Sequence, residues 1–327
     1  MAKRDPLGIE YSDDWSRVIN CPESFAGHYD IRPGTIVIAE GAFLNCAGLT
    51  SITIPESIVT IERYAFYGCT ALANILYDGD VKGWLSLHFS GYVARGYKLW
   101  FLDQDESSAF SSRQETKYRE LRKLVIPPEI TEIRQGAFYY CQGLFDIEWH
   151  NNIQKIGEDA FNKSGCGNKI ILPEGLTYIG CNAFLGCHNL YEVYIPASVT
   201  TICDGSFAFC RYLSKISVSE QNQWYSFDEK EGLLYFLNRS TLKVCCCAGV
   251  SYRYTVHIDE TCDIIHEYAF AGCSKLKVYL PPRLRNHVFK IKDDQCTVII
   301  PSGTTQYFVQ RGFPESQLQE ISPVDSE

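Results

Sequence analysis

Cysteine and histidine side chains are the residues of this chain whose clustering could support metal binding or nucleophilic chemistry. Three consecutive cysteines occupy positions 245–247, and His257, Cys262 and His266 lie close together in sequence. A structural zinc site needs four ligands, commonly supplied by paired Cys-x-x-Cys spacings, and neither group contains such a pair. Adjacent residues of a strand also point to opposite faces, which keeps consecutive cysteines from converging. We therefore expect no metal and no other cofactor, and interpret 245–247 as half-buried strand residues of a hairpin.

The motifs of nucleophilic and phosphate chemistry are also missing from the sequence. Cys187 and His188 are neighbours, but a catalytic cysteine and histidine meet in space rather than in sequence. There is no glycine-rich phosphate-binding loop and no Gly-x-Ser-x-Gly element. The acidic residues show no pairing typical of glycoside hydrolysis. The sequence thus predicts a protein that is not an enzyme.

A repeated segment of 23 residues is the dominant pattern of the chain. Six phenylalanines each follow a small residue, and Cys lies three positions after five of them. Spacing of 23 residues separates Phe43 from Phe66 and each successive pair within the series Phe138, Phe161, Phe184, Phe207. A fixed period in this range is typical of stacked-repeat proteins, which usually act through a broad surface.

One repeat, written from Pro173 to Ile195, shows how a single coil should fold. Val193 and Ile195 alternate as in a strand, and the following Pro196 ends it because proline cannot donate to a strand ladder. Ala183-Phe184 fits a tight turn. A lone coil cannot bury its apolar side, whereas stacked coils align their Phe, Cys, Leu and Ile side chains in interior columns. The pattern predicts an α/β repeat solenoid with parallel strands on one face.

The recurring motif Ile-Pro-x-x-Val-Thr-x-Ile-x-x-x-Ala-Phe-x-x-Cys-x-x-Leu-x-x-Ile resembles that of the BspA-like, or Treponema pallidum-type, leucine-rich repeats. It is clearest in residues 54–75, 126–147 and 195–216. Trp84 resembles the family's tryptophan-bearing variant coil, and residues 232–238 resemble its hairpin coil. The resemblance implies a right-handed leucine-rich-repeat horseshoe. It also implies an adhesion-type protein, since members of the family are often surface or secreted proteins.

We expect about nine coils in residues 33–300, with variant coils at 78–126 and 219–253. Residues 1–32 should form an N-terminal cap, and residues 301–327 a C-terminal cap and tail, because an open stack exposes sheet edges that must be covered. The polar, Ser-rich insertion at 102–120 should be a surface loop. In the coil from His150 to Leu172, Ser164 replaces the expected cysteine and Cys166 follows it, which predicts a rearranged turn.

Composition limits the partners and the compartment. A net charge of −9 and a pI of about 5.4 argue against nucleic acid, and no apolar run is long enough to insert in a membrane. No signal peptide is visible, so the sequence as given favours the cytoplasm, with a secreted or cell-surface location as the alternative if a leader has been removed. Most of the 15 cysteines recur at one repeat position, so we expect a reduced interior column, with an occasional bridge between coils left open.

Adding 23 to a strand residue gives its expected neighbour in the next coil, and this rule predicts two stripes on the outer, concave strand face. The charged strip alternates in sign and consists of Lys123, Asp146, Lys169, Glu192 and Lys215. The mixed strip consists of Val125, Glu148, Ile171, Tyr194 and Ser217, with Leu76 on an earlier strand and Tyr279 as a continuation. Alternating charges on neighbouring strands support each other, so solubility and register alone could explain the first strip.

The function predicted from these features is that of a monomeric, non-catalytic protein that binds a partner on the concave strand face. The two strips are the candidate binding surface. The partner should be a protein, such as a host or cell-surface protein, with a glycan as a second candidate. The alternative is a structural or self-associating module with no dedicated ligand, and an enzyme is a third hypothesis.

Overall fold

A computed structural model describes residues 2–91, 94–102, 118–236, 241–245, 255–266, 268–273, 276–281, 296–310 and 313–321, with the backbone alone at 243–245. The chain divides into two compact units, Met1–Gly167 (unit 1) and Asn168–Glu327 (unit 2). Both units are built mainly from short parallel strands joined by tight turns.

Unit 1 contains fifteen strands and one helix among its described residues. They are β1 (Lys3–Arg4), β2 (Glu10–Tyr11), β3 (Arg17–Asn20), β4 (Ala26–Asp30), β5 (Val37–Ile38), β6 (Gly48–Ile54), β7 (Thr60–Ile61), β8 (Asn74–Tyr77), α1 (Val81–Ser86), β9 (His88–Phe89), β10 (Lys98–Leu102), β11 (Tyr118–Glu120), β12 (Lys123–Val125), β13 (Glu132–Ile133), β14 (Asp146–Glu148) and β15 (Lys155–Ile156).

The strands of unit 1 form two rows, as expected for a coil with two extended segments. Strands β4, β6, β8 and β10 lie side by side in parallel, and β11 closes this sheet antiparallel to β10. Strands β12 and β14 pair in parallel, as do β13 and β15. The second row runs through β3, β5, β7 and β9 in parallel, with β1 and β2 added antiparallel at its start.

Unit 2 continues the same two-strand plan and adds a hairpin. Its described elements are β16 (Lys169–Ile171), β17 (Tyr178–Ile179), β18 (Glu192–Ile195), β19 (Thr201–Ile202), β20 (Lys215–Val218), β21 (Tyr225–Asp228), β22 (Leu233–Phe236), β23 (Thr241–Cys245), β24 (Thr255–His257), β25 (Ile264–Ile265), β26 (Lys277–Tyr279), β27 (Thr297–Pro301), α2 (Thr305–Val309), a 3₁₀ turn (Glu315–Gln317) and β28 (Leu318–Ile321).

Parallel pairing in unit 2 follows the repeat except at the hairpin. Strands β16, β18 and β20 form one parallel sheet, and β24, β26, β27 and β28 form another. Between them in sequence, β21, β22 and β23 are antiparallel neighbours, and β23 then pairs in parallel with β25. The variant coil expected at 219–253 therefore contains an antiparallel hairpin.

Register between the regular coils follows the 23-residue rule in both units. Lys123 lies opposite Asp146 in unit 1, and Glu192 lies opposite Lys215 in unit 2, each pair separated by one repeat. The phenylalanines stack accordingly. In unit 1 the ring centroids of Phe138 and Phe161 are 5.3 Å apart, and in unit 2 those of Phe184 and Phe207 are 5.4 Å apart. In both pairs the ring planes are nearly parallel. Equivalent residues of successive repeats are therefore neighbours in space within each unit.

The turn that carries each phenylalanine is set by two residues of left-handed backbone conformation, one two positions before the ring and one two positions after it. These pairs are Gly41 and Asn45, Tyr64 and Gly68, Gly136 and Tyr140, Asp159 and Lys163, Asn182 and Gly186, and Gly205 and Phe209. Left-handed conformations favour glycine, and in five of the six coils one member of the pair is glycine. At Gly68 a Cβ atom would also lie 3.0 Å from the Cα atom of Asn45 in the preceding turn, so only glycine allows the two turns to approach this closely.

The coil from His150 to Leu172 keeps this turn but delays its end by two residues. In the first two regular turns, a hydrogen bond joins the residues on either side of the cysteine, as from the Ala47 N–H to the Asn45 carbonyl around Cys46. In the departing coil the same bond joins the Gly167 N–H to the Gly165 carbonyl around Cys166. Ser164 and Cys166 are both buried. The expected rearrangement is therefore a two-residue shift of the same tight turn.

The repeat count is higher than the sequence predicted. The structure makes about 11 turns over its described residues, whereas the sequence suggested about nine coils. The difference arises at the ends, because both segments expected as caps contribute strands. Strand β4 pairs in parallel with β6, and β28 pairs in parallel with β27. The boundaries of the caps themselves remain a prediction.

Candidate interaction surface

In unit 1 the charged strip consists of Lys123 and Asp146, and the lysine also contacts an acidic residue of the mixed strip. Lys123 Nζ lies 3.9 Å from Asp146 Oδ2, its expected neighbour, but 2.7 Å from Glu148 Oε2, which belongs to the mixed strip. The hydrogen bond to Glu148 raises the pKa of Lys123, and the charges of Glu148 and Asp146 add to the effect. The +23 rule found the opposite residue, while the long lysine side chain reaches the diagonal one.

The charged strip of unit 2 is centred on Glu192. Its two carboxylate oxygens meet lysines from both neighbouring strands, at 3.3 Å for Lys169 and 3.6 Å for Lys215. The lysine side chains are about half exposed. Ion pairs in contact with solvent contribute roughly 0–1 kcal/mol each, so this strip adds little stability and mainly neutralises the strand face.

The mixed strip brings apolar side chains to the surface beside these charges. Val125 in unit 1 is 51% exposed, and Ile171 in unit 2 is 56% exposed. Tyr194 lies opposite Ile171 and Ser217, and its hydroxyl donates to Glu174 Oε1 at 3.4 Å. Three strands of unit 2 therefore carry an isoleucine, a tyrosine and a serine side by side, as the +23 rule predicted.

Two further members of the mixed strip lie on other sheets. Leu76 is half-buried in unit 1 and sits between Thr53 and Trp100 of its neighbouring strands. Tyr279 in unit 2 is opposite His257, and their rings stack with centroids 4.6 Å apart. Both residues occupy the same position in their coils as the strip residues do, but the residues opposite them are not members of the strip.

A depression adjoins the strip in unit 1. It has a volume of about 250 Å³ and lies beside Lys123 and Val125, with Phe101, Leu102 and Arg119 among the residues that line it. Tyr118, at the start of β11, is anchored by a hydrogen bond from its hydroxyl to Asp78 Oδ1 at 2.6 Å. Most of the insertion expected at 102–120 lies outside the described residues, which include only Leu102 and 118–120 from it.

A serine–histidine–aspartate arrangement on the outer face of β4 and β6 was missed by the sequence reasoning. His28 Nδ1 is 2.8 Å from Ser51 Oγ, and its Nε2 atom is 2.9 Å from Asp30 Oδ1. The +23 rule pairs His28 with Ser51 and would have found it. The side chains of His28 and Asp30 are 42% and 73% exposed, and Thr53 shares the Nε2 atom at 3.3 Å. Because water reaches these groups, we interpret them as a polar surface network.

The three residues considered for metal binding at positions 257–266 have separate partners in the structure. His257 Nδ1 lies 3.6 Å from Glu231, and His266 Nδ1 lies 2.5 Å from Asp204. Cys262 is buried and its sulfur lies 3.2 Å from the Ile264 carbonyl, and burial raises its pKa to about 11. Within the described ranges, no group of three or more histidine, cysteine and acidic residues could hold a metal ion. Cys246 and Cys247 lie outside those ranges, as does the side chain of Cys245.

The interior cysteines follow the repeat. Cys69 and Cys210 each donate from sulfur to the carbonyl of the phenylalanine 26 residues earlier, Phe43 at 2.9 Å and Phe184 at 3.1 Å. Burial raises the pKa of Cys69 and of Cys141 to about 12, so these thiols stay protonated and unreactive. Cys187 is likewise fully buried, as expected. Among the described cysteines, Cys273 is an exception to the reduced interior because it is disulfide-bonded.

These features define the class of the protein. Stacked coils with parallel strands, phenylalanine and cysteine columns and an exposed strand face are those of a leucine-rich-repeat solenoid. The model of the BspA-type leucine-rich repeat region matches residues 28–92, 108–230 and 241–324, in six copies. The chain belongs to this family, which confirms the resemblance seen in the sequence.

Several solved bacterial structures are similar to this chain in fold. A leucine-rich cell surface protein from Faecalibacterium prausnitzii is 18% identical, with a TM-score of 0.44, over 98% of this chain and 94% of that one. The T. pallidum leucine-rich-repeat protein is 23% identical, with a TM-score of 0.32, over 66% of this chain and 82% of that one. A leucine-rich-repeat protein from Bacteroides ovatus is 16% identical, with a TM-score of 0.39, over 98% of each chain. No curated protein matches the chain.

The two α-helices among the described residues are 6 and 5 residues long. Across the part of the chain that the structure describes, none combines the length and the apolar character that a bilayer-crossing helix requires.

Proposed function

We propose that this protein is a non-catalytic interaction protein that captures another protein on its outer strand face, the expected concave side of the repeat. The observation that carries the proposal is the exposure of apolar side chains in register on that face. Ile171 is 56% exposed beside Tyr194 in unit 2, and Val125 is 51% exposed in unit 1. Exposed apolar and aromatic residues framed by polar groups are typical of protein interfaces.

The charges next to these residues also favour a protein-binding surface. Glu192 is balanced by Lys169 and Lys215, so a partner covering this strip meets paired rather than isolated charges. Partly exposed pairs lose less solvation on burial than a lone charge does. Tyr194 adds a large ring with few rotatable bonds, which limits the entropy lost on binding.

The partner class follows from charge and from surface chemistry. A net charge of −9 disfavours nucleic acid, whose phosphates need lysine and arginine. Isoleucine and valine side chains offer no hydrogen bonds to sugar hydroxyls, so a protein surface matches the mixed strip better than a glycan does. A host or cell-surface protein is the partner we favour, and the protein itself is expected to be monomeric.

The test replaces Ile171, Tyr194 and Glu192 together by alanine in the full chain. Capture of a partner from a defined mixture of extracellular proteins, measured by quantitative mass spectrometry, should be lost. The midpoint of unfolding should change little, since surface substitutions usually alter stability by about 0.5 kcal/mol each. The matched control replaces Tyr67, Val59 and Glu40, exposed residues of tyrosine, β-branched aliphatic and glutamate type outside both strips, and should capture the partner as the parent does.

Equal capture by the two triple variants would show that the strand face is the wrong surface. The structural or self-associating alternative has a different signature, a mass that rises with concentration in light scattering. A strict monomer that loses its partner only through the strip variant is the result expected here.

A further inference from the structure

A second cavity lies in unit 2, where β20 ends and the hairpin begins. Its volume is about 350 Å³, within the range of ordinary ligand pockets. Ser217, the last residue of the mixed strip, lines it together with two other serines, Ser219 and Ser226, and two glutamates, Glu220 and Glu229. The cavity therefore adjoins the surface proposed above to bind a partner.

One of the residues that line this cavity, Asn222, is held in place by hydrogen bonds to the protein. The Asn222 amide donates to the carbonyls of Pro196 and Val199 at 2.7 and 3.1 Å, and its oxygen accepts from the N–H groups of Trp224 and Tyr225 at 2.9 Å. All four of its usual hydrogen-bonding positions are thus engaged with the protein. Tyr225 is buried, and its hydroxyl accepts from the Ile202 N–H at 2.7 Å. The protein itself therefore fixes the positions of Asn222 and Tyr225 in the lining.

The lining is rich in hydrogen-bond acceptors and negative charge. The glutamates at positions 220 and 229 are exposed, the serine hydroxyls can accept, and no lysine or arginine is among the described residues that line the cavity. Phe227 is half-buried and supplies an aromatic wall. A planar cation with several N–H donors matches carboxylates and an aromatic face at once, which is the chemistry of the guanidinium group.

We propose that this cavity binds an arginine side chain presented by the protein partner. The inference rests on the proposed function, since the partner's chain would reach the cavity from the Ile171–Tyr194–Ser217 stretch of the mixed strip. The glutamates pair with the guanidinium, the serine hydroxyls accept its remaining N–H groups, and Phe227 packs against its plane. The net charge of −9 favours a partner with basic residues.

The test uses a minimal probe and the full chain. An acetyl-Gly-Arg-Gly-amide peptide is titrated into ¹⁵N-labelled protein, and the amide signals of Ser217 and Ser226 are followed. They should shift saturably. The citrulline peptide, which keeps the shape but lacks the charge, should bind about ten-fold more weakly, as expected for loss of a charge-assisted hydrogen bond. Glu220→Gln with Glu229→Gln should weaken the arginine peptide to the same extent, while the control Glu56→Gln in unit 1 should not.

Four results would overturn the inference. Equal binding of the arginine and citrulline peptides would show that charge is not recognised. Shifts caused by glucose and not by the arginine peptide would identify a saccharide site, and shifts with neither would show that the cavity is not a binding site. Loss of peptide binding in the double glutamine variant with continued partner capture would separate this site from the strip. The proposed function would then stand without the arginine site.

Discussion

Regular and variant coils of this protein use different groups to form hydrogen bonds to the neighbouring coil. In regular coils the main chain joins neighbouring turns, since the Phe138 N–H donates to the Ala160 carbonyl at 2.8 Å and the Phe43 N–H to the Ala65 carbonyl at 2.8 Å. In the variant coil at 78–126, a side chain supplies such a bond. Trp84 Nε1 donates to the carbonyl of Ala137 at 2.8 Å. Trp84 is fully buried and packs edge-on against Tyr77.

The hairpin coil of unit 2 shows the same substitution with tyrosines. The hydroxyl of Tyr225 accepts from the Ile202 N–H, and that of Tyr235 accepts from the Asp259 N–H at 3.0 Å. Both rings are buried, and burial raises the pKa of each hydroxyl well above its ordinary value. A coil can therefore depart from the repeat when the polar group of a large buried side chain forms a hydrogen bond with the main chain of the neighbouring coil. The comparison suggests experiments on the side chains that replace main-chain bonds.

The largest effect is expected at Trp84. Trp84→Ala should lower the free energy of unfolding by about 3–5 kcal/mol, because it removes a buried ring and leaves the Ala137 carbonyl unpaired. Trp84→Phe should cost about 1–3 kcal/mol, since it keeps most of the ring and loses the N–H. Urea unfolding followed by circular dichroism measures both.

Trp100 is the matched control for this position. It is half-buried, and its Nε1 donates to the side chain of Asn74 rather than to the main chain of another turn. Trp100→Ala should therefore destabilise less than Trp84→Ala. Equal losses for the two alanine variants would show that Trp84 does not replace a main-chain contact.

An intermediate effect is expected at the hairpin. Tyr225→Phe removes only an oxygen atom but leaves the buried Ile202 N–H without an acceptor, which costs about 1–3 kcal/mol. Tyr194→Phe removes the same atom on the strand face and should change stability by less than about 0.5 kcal/mol. Thermal unfolding of the two variants side by side makes the measurement. A Tyr225→Phe variant as stable as Tyr194→Phe would refute a supporting role for the hairpin hydroxyl.

The sequence predicted what depends on periodicity. Adding 23 placed Glu192 between Lys169 and Lys215 and placed Ile171 beside Tyr194, because parallel strands in register convert equal spacing into contact. It also indicated a variant coil at Trp84. The partner of the indole could not be foreseen, since Ala137 is 53 residues away and the repeat is interrupted between them.

Other features lay beyond sequence reasoning for physical reasons. The shorter contact of Lys123, to Glu148 rather than Asp146, is decided by side-chain conformation, which periodicity does not specify. The extra turns were hidden because strands such as β4 and β28 lack the Ala-Phe motif of a regular coil. What the strips bind depends on a partner, and the sequence contains only one side of that interface.

The smallest effect concerns backbone strain in the regular coils. In the coil of Phe161 both left-handed positions carry side chains, Asp159 and Lys163, whereas other regular coils have glycine at one of them. The left-handed conformation costs a non-glycine residue roughly 1–2 kcal/mol, so Lys163→Gly should relieve strain. It also removes the bond from Lys163 Nζ to the Tyr140 hydroxyl at 2.7 Å. The net change in stability should therefore lie between about 0 and 1 kcal/mol in favour of the variant.

Lys155→Gly, in an extended strand of the same unit, should instead destabilise by about 0.5–1 kcal/mol. If chemical denaturation shows that both substitutions destabilise the protein equally, the left-handed turn residues are not under strain. Glycine at those positions would then be needed only because neighbouring turns approach each other closely.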